Sequence, residues 1–183
     1  MKILISISPF IVFFALMRLF SPVVGLGGAL VTSTLLCLRM WRRQESVKIL
    51  EIGSLVLFAF LAALTLVAAP AWTVATVRLA VDSGLLAIVL VSLLINRPFT
   101  LQYARERVPS EFWDSPVFLA VNRRIALVWA MAFAVLVVAD AAAEWVPSIP
   151  IHVDVVASIV AFAAAAWFTT WYPERIRRAF ALP

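Results

Sequence analysis

ILISISPFIVFFALMRLFSPVVGLGGALVTSTLLCL, residues 3–38, is an apolar run far too long for a single helix across a hydrocarbon core. About 20 residues suffice for that crossing at 1.5 Å per residue, with shorter spans tolerated. The run is punctuated once, at Ser21-Pro22, with Gly25, Gly27 and Gly28 close behind. Proline and glycine at mid-run mark a turn. The stretch therefore reads as two short spans at about 3–20 and 23–40, or as a re-entrant hairpin dipping into one leaflet. Outward from it the same logic gives spans at about 48–69, 72–95, 117–141 and 152–172. Pro70 divides the third from the fourth, and Pro147 and Pro150 divide the fifth from the sixth. The expected fold is all-α and integral to the membrane, one polytopic domain over 1–183. It is a six-helix transmembrane bundle of three hairpins, with an amphipathic interfacial segment between spans four and five.

Composition supports a membrane class. Apolar residues make up 64% of the 183 and charged residues 14%, against roughly 45–50% and 25% in soluble domains. The charges are also ordered. Thirteen of the 15 Lys and Arg fall at the N-terminus, between spans two and three, between four and five, or at the C-terminus. Only Arg18 and Arg78 lie toward the other three turns. Cytoplasmic loops carry such an excess, so both termini are expected in the cytoplasm of a bacterial inner membrane. The re-entrant alternative predicts the same side. A pI near 10.3 then reflects topology, and no nucleic-acid partner is expected, since the basic residues form no groove or stacking platform. Six of the seven tryptophans, Trp41, Trp72, Trp113, Trp145, Trp167 and Trp171, sit near expected span ends, where amphipathic rings are favoured. Trp129 alone falls inside a span. The N-terminal run lacks a small-residue cleavage site and reads as a retained first helix.

The usual equipment of catalysis is sparse. Cys37 is the only cysteine and His152 the only histidine. Thiolate metal clusters, bis-histidine haem and a Ser-His dyad thus lose their ligands or base. No GxxxxGK[ST] phosphate loop occurs. No catalytic residue, cofactor or metal is assigned.

Ionisable residues in or beside spans are costly, so each is a functional candidate until partnered. Arg78 and Asp82 are four apart in span four, on one helix face. They read as a self-neutralising ion pair, or as a gate facing a cavity. On the same expected outer side lie Arg18, Asp140, Glu144, His152 and Asp154. These read as solvated charges at helix ends, or as a cation or proton site. Small residues in spans two, five and six, such as Gly28, Ala142 and Ala164, permit close helix approach in lipid and a homo-oligomer face.

The longest segment outside the spans runs from Asn96 to Phe118. Pro98 ends span four, and Asp114-Ser115-Pro116 supplies a cap with proline at the first helical position. Between them Phe99, Tyr103, Phe112 and Trp113 interleave with Arg97, Arg105 and Arg107. Aromatics inserted and arginines on anionic lipid phosphate would suit the inner headgroup layer. The same surface would suit docking of a membrane or cytosolic protein.

Three elements here, Asn96-Arg97-Pro98-Phe99, Pro109-Ser110-Glu111-Phe112-Trp113, and Asn122-Arg123-Arg124 leading to Trp129, resemble the bacterial intracellular septation protein A family and its relatives. That family has a basic loop, a (Gly/Asn)-(Lys/Arg)-Pro-(Leu/Phe) element ending a span, a Pro-x-x-x-Trp loop and an asparagine opening the next span. The likeness covers about residues 40–140 in arrangement. The chain departs from the pattern in its longer Thr100–Arg107 insert and its Asn122-to-Trp129 spacing. The resemblance implies a small inner-membrane protein acting in septum and envelope organisation through partner contacts, without catalysis. Two functions are therefore expected to compete: a non-enzymatic membrane scaffold, and a small transporter or channel subunit for an ion or small solute.

Overall fold

The computed structural model describes residues 2–44, 46–68, 72–146 and 151–179, and at 2–5, 7 and 151–154 the backbone only. Most of the described residues are helical, with no strand among them. Five helices, Pro22–Arg42, Ile49–Ala68, Val74–Leu94, Pro116–Trp145 and Val155–Ala179, are long and apolar enough to cross a membrane. The expected turns at Pro70, Pro147 and Pro150 lie outside the described residues. Two compact units divide the chain, residues 1–88 and 89–183.

In the first unit, α1 (Lys2–Leu19) is followed at once by α2 (Pro22–Arg42). Ser21 between them is extended (φ −160°, ψ 162°), and its Oγ accepts from Val24 N at 3.3 Å. Pro22 opens α2, where its missing N–H costs nothing. α1 and α2 then pack closely: a Cβ at Gly25 would sit 3.0 Å from the Phe13 carbonyl oxygen and from Met17 Cβ. Within α1 the described apolar stretch, Ser8–Leu19, is shorter than a full span.

Helix α3 (Ile49–Ala68) packs chiefly along α2 and also reaches α1. Phe58 is fully buried, with ring centroids 5.3 Å from Phe10 and 5.9 Å from Phe13. Helix α4 (Val74–Leu94) meets α3 at a second glycine. A Cβ on Gly84 would lie 2.3 Å from Leu57 Cδ1. The indole of Trp72 donates to Thr65 Oγ1 at 2.7 Å, tying the approach to α4 to the end of α3.

Helix α4 stops by its own chemistry before proline is reached. Asn96 adopts the left-handed conformation (φ 54°), its N–H donates to Leu93 O, and Arg97 N–H donates to Ser92 O at 3.0 Å. This pair of bonds is a Schellman end, and asparagine tolerates the left-handed position it needs.

In the second unit, α5 (Phe99–Ala104) and a single 3₁₀ turn (Ser110–Phe112) precede α6 (Pro116–Trp145). Ser115 Oγ caps α6 by accepting from Phe118 N at 3.1 Å, with Pro116 at the first position. Helix α7 (Ile151–Ala179) packs along α6. Phe162 lies edge-on to Trp129 and to Phe133, with centroids 5.8 and 5.7 Å away. The Trp129 indole donates to Thr169 Oγ1 at 3.0 Å. The helix runs through Pro173, beyond the expected end at 172, and α6 likewise runs past 141 to include Glu144.

Both units turn large apolar side chains outward. Val31, Leu35, Phe60, Leu66 and Val67 in the first, and Val138, Ile159, Val160 and Trp167 in the second, are exposed. In water such surfaces would drive association; a bilayer is the solvent that suits them.

Candidate functional site

The sequence candidates separate once placed. Asp82 on α4 is only 1% exposed, and Arg78, one turn earlier, is half-buried. Neither is without a polar or electrostatic partner. A carboxylate at that depth carries a desolvation cost that partners must offset.

The expected outer group divides as well. Asp140 is 1% exposed and lies within α6, where a solvated position at a helix end was one expectation. Helix α6 runs one turn further than expected, which places Asp140 in its body and Glu144, half-buried, near its end. Both carboxylates have partners. Arg18 is exposed on the last turn of α1. The His152 and Asp154 side chains lie outside the described residues. Among the described residues no group of three or more His, Cys, Asp or Glu could hold a metal ion.

The aromatic and basic segment has two faces. Pro98, Phe99 and Tyr103 are buried, and α5 packs on α6. Thr100 Oγ1 donates to Asn122 O at 2.8 Å, and Phe99 N–H donates to Ser92 Oγ at 3.2 Å. Two of the aromatics expected in the headgroup layer are therefore consumed in packing. Phe112 and Trp113 are half-buried, and Arg97, Arg105 and Arg107 are exposed. The Trp113 indole donates to Val108 O at 2.9 Å, and the Arg105 guanidinium lies over its ring, 5.1 Å from the centroid. Such a contact holds a cation in place while leaving its outer N–H groups available.

Sequence reasoning missed a polar knot in the first unit. Glu51, 4% exposed in the first turn of α3, accepts a hydrogen bond from the Ser6 hydroxyl of α1. Cys37 of α2 directs its thiol at the Glu51 backbone carbonyl, 3.9 Å away. Lys48, expected as an inner-loop charge, is 3% exposed. The signal was present: Glu51 is the only carboxylate between residues 46 and 81. Also missed was the link from Arg124 of α6 to the Tyr172 hydroxyl of α7.

Comparison with protein-family models, curated proteins and solved structures finds no match to this chain.

Proposed function

We propose that the chain is a non-enzymatic bacterial inner-membrane protein that scaffolds cell-envelope or septum machinery through contacts with membrane partners. In this reading it spans the bilayer six times as three hairpins, with both termini in the cytoplasm. The segment from Asn96 to Ser115 lies at the inner surface against anionic headgroups. The observation that carries the reading is the two-sided build of that segment. Its apolar side is spent on α6, and its arginines are left outward on a support too short and too well tied to act as a flexible tether. The family resemblance of the Asn96–Phe99, Pro109–Trp113 and Asn122–Trp129 elements points the same way.

Crosslinking and co-purification from native membranes test it. Wild-type protein should recover a stable division or envelope partner, and R97Q/R105Q/R107Q should lose it while all spans stay inserted. Undiminished recovery in the triple variant would sink the docking role.

The buried Asp82 and half-buried Arg78 favour a second reading, a small transporter or channel subunit. Solute or ion flux in vesicles reconstituted with the purified protein would carry that alternative, and a loop variant would leave it unchanged.

A further inference from the structure

We propose that the end of the second unit where α6 begins and α7 finishes is a built site for one anionic phospholipid headgroup. The proposal rests on the membrane reading above and adds the place. Arg124 of α6 donates to the Tyr172 hydroxyl of α7 and lies over its ring, 5.8 Å from the centroid. Arg175 lies 5.0 Å over Trp171, whose ring centroid is 6.4 Å from that of Tyr172. Each of these rings is backed by another: Trp167 stacks on Trp171 at 5.0 Å, and Phe168 on Tyr172 at 4.8 Å. Two exposed guanidiniums from neighbouring helices are thus held on a continuous aromatic shelf whose Tyr172 is buried.

That arrangement differs from a diffuse basic surface. A guanidinium lying on a ring presents its N–H fork outward, and the fork matches two oxygens of a phosphodiester. The Tyr172 hydroxyl, which accepts from Arg124, retains its own proton to donate. Charge complementarity agrees, because this end of α6 and α7 carries five arginines and one carboxylate, Glu174, which lies 3.9 Å from Arg178. Exposed Trp167, itself part of the shelf, supplies apolar surface for acyl chains, so a lipid fits better than free phosphate.

The test uses the full chain in neutral detergent, titrated with phosphatidylglycerol or phosphatidylcholine and read by native mass spectrometry of retained lipid. Wild type should retain phosphatidylglycerol selectively. R124Q/R175Q should weaken that binding about tenfold or more, from two cations at an anionic phosphate. R177Q/R178Q removes equal charge from the helix tip and should stay near wild type. Equal losses in the two double variants would overturn the site in favour of a general field, as would equal retention of both lipids. Should R124Q/R175Q fold poorly, R124K/R175K keeps the charge and loses the fork, and Y172F removes only the hydroxyl. Both should bind more weakly, and wild-type binding in both would overturn the proposal. Soluble glycerol phosphate competing as well as the lipid would overturn it too. Carbonate extraction separates the two levels: a chain stripped from membranes fails the membrane reading, whereas an inserted chain without lipid preference fails this site alone.

Discussion

Ser6 and Glu51 stand 45 residues apart in the chain and meet inside the first unit, where the hydroxyl donates to the carboxylate. Ser6→Ala keeps the volume nearly constant and removes that donor from a buried acceptor. The expected cost is about 1–3 kcal/mol, seen as earlier thermal unfolding in detergent, and Glu51→Gln should restore part of it by removing the charge. Arg78 and Asp82 are tested by comparing single with double changes. Where Arg78 compensates Asp82, replacing Arg78 alone leaves a buried carboxylate uncompensated, at a cost of several kcal/mol. If the two serve each other, changing both to apolar residues should be tolerated better than either single change, measured by expression and unfolding. A double variant that folds yet loses solute flux would move the assignment to transport. Side-chain partners of this kind are poorly legible in a sequence. Glu51 announces a cost by sitting in an apolar run, but nothing near it says that Ser6 is the answer.

At the scale of elements, two helix starts were legible, whereas α6 and α7 run past their expected ends. Ser21-Pro22 and Ser115-Pro116 each combine a side-chain acceptor with a proline that suits the first helical position, and both cap helices as those residue types require. The end of α4 was placed correctly at Pro98 to within a few residues, though the stop is made earlier by Asn96 in its left-handed conformation. The α5 packing was not legible. Alternating aromatics and arginines describe an amphipathic segment equally well whether its apolar side faces lipid or a neighbouring helix, and Thr100 and Asn122 decide the matter through a bond no spacing predicts. Thr100→Val should therefore loosen α5 with little effect on the long helices. Faster amide exchange confined to 99–104 is the expected result, by an equivalent of about 1 kcal/mol. Gly25 belongs to the same scale. A leucine there would meet the Phe13 backbone, which cannot yield as a side chain could. Separation of α1 from α2 should cost about 1–3 kcal/mol, read as lower thermal stability of the purified protein.

For the whole molecule, the periodic return of long apolar runs was enough to show a helical chain suited to a bilayer. Orientation rests on the ordering of charge alone. Alkaline phosphatase fused after Pro70 should be active, and fused after Arg107 inactive. The reverse pattern would invert every side assigned to the loops, the scaffold surface included. The lipid site between α6 and α7 does not depend on that result, because both helix ends belong to one unit and would change sides together.

Cys37 gives the protein a native reporter. It is the sole thiol, half-buried on α2, and it points at the backbone of α3. A maleimide probe would attach at one position without any engineered cysteine. Its rate of attachment would follow how often α2 and α3 part to admit it. Ligands, lipids or partners that tighten the first unit should slow that reaction, giving a clock for its breathing that needs no knowledge of what the protein binds.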